Sequence, residues 1–129
     1  MAGVVLDASA ILALLKGEPG AEKVAGVLDE STVSAVNYAE VVSHYAKTGS
    51  PRELIDEMLG ALPITVVPVD TELGVQAGML RPITLKAGLS LGDRFCLALA
   101  IRDGLPAWTA DKDWKTVEHT IGATVVVIR

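Results

Sequence analysis

The chain has 129 residues, half of them hydrophobic but only 4% aromatic, with one cysteine and a net charge of −5 from sixteen acids against eleven Lys plus Arg. A chain of this length and apolar content is expected to bury one aliphatic core as a single domain over residues 1–129, and disorder is excluded. The acidic balance is the opposite of the basic footprint with which nucleic-acid binders hold phosphates, so an anionic substrate must be held locally, by a metal or a small basic patch.

In chain order, GVVL (3–6) predicts a short buried strand, and SAILALLKGE (9–18) a helix that Pro19-Gly20 breaks. AEKVAGVLD (21–29) reads as a second helix and STVSA (31–35) as a strand. NYAEVVSHYAKTG (37–49) reads as a helix with Asn37 as N-cap and Gly49 as stop signal. PRELIDEMLGAL (51–62) follows as a helix, Pro51 suiting its start. ITVVPV (64–69) is a strand, and DTELGVQAGMLRPI (70–83) a helix opened by Asp70. SLGDRFCLALAIRDG (90–104) is the clearest long amphipathic helix, with Cys96 as a packed core thiol suited to a reducing compartment. PAWTA (106–110) is a strand, KDWKTVEH (112–119) a short helical turn and ATVVVI (123–128) the last strand. Five apolar strands separated by helices imply an α/β fold, a mostly parallel sheet with helices on both faces and right-handed crossovers. No apolar run approaches the roughly 20 residues of a membrane helix and no leader pattern opens the chain, so the expected location is the cytoplasm.

In such sheets the binding crevice lies beyond the carboxyl ends of the strands, near a switch in strand order. Asp7 ends the first strand, Glu40 lies in the first turn of the helix after the second, Asp93 in the first turn of the long helix, and Asp111 after PAWTA. Each acid also fits a simple cap: Asp7 and Asp111 for the elements that follow them, Asn37-x-x-Glu40 and Ser90-x-x-Asp93 as capping-box patterns. Four carboxylates at one crevice repel one another unless a cation neutralises them, and hard oxygen donors suit Mg²⁺ or Mn²⁺ rather than zinc.

Other chemistries lack their signatures. No GxGxxG or GxxxxGK[ST] follows the first strand, no GxSxG is present, and Ser9 has no identifiable histidine partner. His44 and His119 are too few and too scattered for a zinc site, although His44 shares a helix face with Glu40, a spacing that could set it at the edge of the crevice. A receiver domain or phosphatase would also place acids and Mg²⁺ at strand ends, but an adjacent acidic pair and a DxD motif are both missing from the first strand.

The segments VVLDASAILALL, SAVNYAEV, LSLGDRFCLALA and PAWTADKDW, in that order, resemble the four motifs of PIN-domain nucleases. In spacing and length they look most like the VapC toxins of toxin–antitoxin pairs, and the resemblance spans nearly the whole chain. It implies a three-layer α/β/α fold and a metal-dependent endoribonuclease whose acidic quartet is Asp7, Glu40, Asp93 and Asp111. Ser9 and Thr109 match supporting hydroxyl positions, and Asp113 an additional acid of many members. Trp108 and Trp114 depart from the usual smaller aliphatic residue and phenylalanine. The implied partners are RNA, with Arg94, Lys112 and Lys115 as candidate contacts, a cognate antitoxin, and a second copy of the chain. Val41, Val42, Tyr45, Leu54, Ile55, Met58 and Leu59 are expected to supply an apolar interface. The alternatives left open are a non-catalytic module of the same fold and a metal-dependent phosphatase or receiver domain.

Overall fold

The computed structural model describes residues 3–129, so the first two residues of the expected domain lie outside the described residues. Strands β1 (Val4–Leu6), β2 (Ser31–Ser34), β3 (Thr65–Val67), β4 (Ala107–Thr109) and β5 (Val125–Val127) form one sheet in the order β3-β2-β1-β4-β5. Every pairing is parallel. The order reverses at β1, which lies between β2 and β4, so the switch point falls where Asp7 ends β1 and Asp111 follows β4.

Alternation along β1 sets the layers. Val4 and Leu6 pack to one side with Val33, against α1 (Ala8–Lys16), α2 (Ala21–Ala25), α3 (Ala35–Lys47) and α4 (Arg52–Gly60). Val5 points to the other side with Ala107 and Val125, against α5 (Thr71–Met79), α7 (Leu91–Asp103) and the segment 112–121. A short helix, α6 (Arg81–Thr84), precedes α7, and residues 112–121 form a 3₁₀ turn (Lys112–Thr116) followed by α8 (Glu118–Ile121). The three-layer sandwich with a parallel five-stranded sheet is therefore as the sequence implied.

Several local expectations change. The helix expected over 21–29 stops at Gly26 and resumes as a 3₁₀ turn at Leu28–Glu30. Ser34, not Asn37, caps α3, accepting from the Asn37 amide at 3.1 Å, so the helix starts earlier and Glu40 falls in its second turn. Pro51 occupies the N-cap position of α4. The long helix α7 is not amphipathic: Gly92 and every residue from Arg94 to Ala100 are buried, because it lies over the sheet centre between α3 and α5. Gly104, at φ +65, ends it in the left-handed conformation that glycine adopts without a Cβ clash. Val41, Ile55 and Leu59 belong to the core of the α1–α4 side rather than to an exposed face; Val42, Tyr45 and Met58 are partly buried there, and only Leu54 of that set is largely exposed. The apolar excess noticed in the sequence is mostly consumed by packing α3 and α4 onto the sheet.

Candidate active site

The site is built outward from Asp7. An aspartate at the end of a buried strand has no water to solvate it, and Asp7 is 4% exposed. It is instead held by donors from helix α1 and strand β4: Ser9 Oγ at 2.7 and 2.9 Å from its two carboxylate oxygens, the Ala10 amide at 2.8 Å, and Thr109 Oγ1 at 2.6 Å. The Ala10 bond makes Asp7 the N-cap of α1 as well. Both hydroxyls are themselves fixed, because Ser9 Oγ accepts from the Ala110 amide at 2.9 Å and Thr109 Oγ1 from the Asp111 amide at 3.1 Å. A hydroxyl can donate once while accepting, so each ties the Asp7 carboxylate to the backbone after β4. Ser9 and Thr109 thus fix the Asp7 carboxylate from α1 and from β4. Burial still dominates: the Asp7 carboxyl is pushed up to about 6 despite the Thr109, Ser9 and Ala10 bonds, with the charge of Asp93 adding to the shift.

Across the crevice, Glu40 and Asp93 come from two helices joined by Asn37. Asn37 is buried at the third position of α3, accepts from Ser34 Oγ at 2.6 Å, and donates from Nδ2 to Glu40 Oε1 at 2.8 Å and to the Gly92 carbonyl at 2.9 Å. The Glu40 carboxylate lies directly against Gly92, where any Cβ would collide with it. Asp93 sits one residue further on. Its Oδ2 accepts from the Ser90 amide at 2.8 Å while its own amide donates to Ser90 Oγ at 3.2 Å, a complete capping box. Burial raises the Glu40 and Asp93 carboxyls above the ordinary carboxylate range. The Asn37 bond opposes this at Glu40 and the Ser90 bonds oppose it at Asp93; the charge of Asp93 adds to the rise at Glu40 and that of Asp111 to the rise at Asp93. Beneath them, burial pushes the Cys96 thiol far up, reinforced by the charges of Asp7, Asp93 and Glu40, which fits the packed thiol expected there.

In the sequence Asn37 reads as a cap, and Gly92 has no marked role. The one available signal was an asparagine three residues before Glu40, a spacing that puts both on one helix face.

Asp111 is exposed and caps the 3₁₀ turn, accepting from the Asp113 amide at 2.9 Å. Asp113 is exposed on that turn. Lys112, beside Asp111, is exposed too, whereas Lys115 is paired with Glu118 at 3.3 Å. Arg94 is a correction: it is 5% exposed and donates from Nη1 to the Ala77 carbonyl at 3.3 Å, with no partner for Nε. Because α7 is covered on nearly every side, position 94 points into α5 and presents no charge to a substrate. Trp108 and Trp114 pack into opposite faces of the core. His44 lines, with Glu40, Ser43 and Lys47, a groove of about 560 Å³ along α3.

Three of the four acids therefore do cap helical elements, and capping does not exclude a second role. As they stand, no three His, Cys, Asp or Glu side chains among the described residues enclose a metal position. Each carboxylate is drawn back to its own donors, as expected of like charges. The donor set nonetheless fits a hard divalent cation: it is all oxygen, and Asp7, Glu40 and Asp93 all shift upward, the direction an opposing charge would reverse.

Asp7, Glu40 and Asp111 each lie close enough to Asp93 for charge to act between them, so acids from four elements gather at the switch point of the parallel sheet of an α/β domain. Residues 4–119 match the PIN domain family. The chain belongs to that family. It is 33% identical over 113 residues to ribonuclease VapC42 of Mycobacterium tuberculosis, covering 80% of this chain and 86% of that protein. It is 30% identical over 124 residues to VapC ribonuclease R02377 of Rhizobium meliloti, covering 78% and 87%. Its fold matches chains of DNA-bound VapBC from Salmonella typhimurium (TM-score 0.76, 16% identity, all of both chains) and of FitAcB from Neisseria gonorrhoeae (0.73, 19%, 97% of each).

Proposed function

We propose that this chain is an endoribonuclease of the VapC type, the toxin of a toxin–antitoxin pair, hydrolysing RNA phosphodiester bonds with Mg²⁺ or Mn²⁺. The reading is carried by the buried Asp7 carboxylate, clamped by Ser9 and Thr109 opposite Glu40 and Asp93. An arrangement this costly has no purpose in packing alone, and the names of the ribonuclease relatives agree with it. Asp7 and Asp93 would hold the cation, with Glu40 and Asp111 completing the set directly or through water. When bound, the cation would supply Lewis acidity, lowering the pKa of water and offsetting charge on the scissile phosphate. The protein's own part is orientation. Ser9 and Thr109 fix the Asp7 carboxylate plane, Asn37 aims Glu40 and locks α3 to α7, and Ser90 steadies Asp93. Lys112 supplies an exposed cation beside Asp111 for a substrate phosphate.

Solved relatives named VapBC and toxin–antitoxin complexes support an antitoxin partner for this chain. A homodimer is supported by Val75, Met79 and Ile101, exposed together beside a groove of about 350 Å³ between α5 and α7. We place the protein in the cytoplasm, and no helix among the described residues is long and apolar enough to cross a membrane.

Purified protein should produce internal RNA breaks with Mg²⁺ or Mn²⁺, stop in EDTA and recover when the metal is restored. The same cleavage after rigorous metal removal overturns the mechanism. Turnover of phosphate monoesters without RNA cleavage favours the phosphatase reading, and neither activity in metal-loaded protein favours the non-catalytic module.

A further inference from the structure

A groove of about 620 Å³ lies between α6 with the loop after it and the 112–121 segment. Its size is within the roughly 300–1,000 Å³ of small-molecule sites. Ile83, Ala87 and Val117 give it an apolar floor, and Ile83 remains 40% exposed. The polar lining is specific in what it has left to offer. The Asp113 amide is committed to Asp111 and its carbonyl accepts from Thr116 Oγ1 at 2.7 Å, so Asp113 can present only its carboxylate, an acceptor. The Thr116 hydroxyl has given its proton away and is likewise an acceptor. Lys86 is in no ion pair among the described residues and supplies a cation on the same lining. Asp113 on the groove lining lies two residues after Asp111, and the 2.9 Å bond from its amide to the Asp111 carboxylate puts the groove next to the acid that follows β4.

An apolar floor takes the face of a base, a lysine takes a phosphate, and the Asp113 carboxylate beside the Thr116 oxygen takes a base edge rich in N–H groups. We infer that this groove is the subsite for the nucleoside beside the scissile phosphate, with Asp113 selecting guanine. Guanine offers adjacent N1–H and N2–H donors to one carboxylate; adenine and cytosine offer one amino group, and uracil a single imino N–H flanked by carbonyls that Asp113 repels. The inference rests on the ribonuclease reading above and assigns Asp113 to substrate choice.

The test has two arms. In the first, GMP, AMP, CMP and UMP are titrated at millimolar concentration, without divalent metal, into the ¹⁵N-labelled full chain. GMP should shift amides within 83–88 and 112–121 at the lowest concentration, with UMP weakest. Thr120→Trp, an exposed position on the groove lining, should abolish these shifts, and Lys86→Glu should weaken all four nucleotides alike. In the second arm, RNA ends are sequenced after cleavage. The parent should favour guanosine next to the cut, and Asp113→Asn, which exchanges one acceptor oxygen for a donor, should lower discrimination against uridine by roughly tenfold or more. Nucleotide shifts elsewhere, no shifts, or shifts indifferent to Thr120→Trp overturn the subsite. So does unchanged base preference in Asp113→Asn. Failure of the parent to cut any RNA counts against the ribonuclease reading instead, and the nucleotide titration still decides the groove.

Discussion

Replacing Asp7 by Asn should stabilise the metal-free protein at neutral pH while abolishing RNA cleavage. The folded Asp7 carboxyl titrates at about 6 against an ordinary value of 3.8, chiefly because it is buried. Since the folded state binds this proton more tightly than the unfolded chain does, the favourable contribution is fully present below pH 3.8. It fades as the pH rises and is lost once the pH has passed through about 6. The difference corresponds to about 3 kcal/mol at pH 7. Asparagine cannot ionise and retains an oxygen for the Ala10 amide, so it escapes that loss. Its Nδ2 must turn Ser9 or Thr109 into an acceptor, which costs about 1 kcal/mol. The net gain at pH 7 is then about 2 kcal/mol, or about 5–10 °C in Tm for a domain of this size, passing through zero between about pH 4 and 5 and becoming a small loss below that. Denaturation of both proteins in EDTA across pH 4–8 measures it, and cleavage assays with Mg²⁺ supply the functional counterpart. A variant less stable than the parent at pH 7, or a gain that does not grow with pH, would refute the account of Asp7 as a desolvated carboxylate awaiting a cation.

Gly92→Ala drives a Cβ into the Glu40 carboxylate, the far end of an exposed and flexible side chain that can swing aside, so stability should change by less than about 1 kcal/mol while RNA cleavage falls as Glu40 leaves Asn37. Cleavage at parental levels would show that Glu40 can leave Asn37 without consequence. Arg94→Met should leave cleavage and its salt dependence unchanged and hold or raise Tm, because the buried guanidinium has one carbonyl partner and an unpaired Nε; a weakened salt dependence would return Arg94 to the substrate surface. Light scattering at micromolar concentration should give a dimer mass, and Met79→Asp, on an exposed position of α5, a monomer. A monomeric parent removes the self-association.

Chain-local features were legible without coordinates. The alternation that buries Val4 and Leu6 on one side and Val5 on the other is written in three consecutive residues, and the caps at Asp70 and Ser90 follow from side chains reaching three residues ahead. The acids could be singled out because a carboxylate at the end of an apolar strand is conspicuous. Tertiary packing decided which side chains face them. Arg94 is charged and adjacent to Asp93, yet it is buried because α5 covers that side of α7, a contact between segments far apart in sequence. Asn37 reads as a cap until α7 brings the Gly92 carbonyl to its Nδ2, and Gly92 carries no visible purpose until Glu40 arrives against it from α3. Thr109 reaches Asp7 across the β1–β4 pairing, 102 positions away. Local periodicity determines strands, helices and their apolar faces because those depend on neighbours within a few residues. The partners of a buried polar group are fixed only when the sheet order 3-2-1-4-5 brings distant strand ends together, and with them the environment that sets the charge of Asp7.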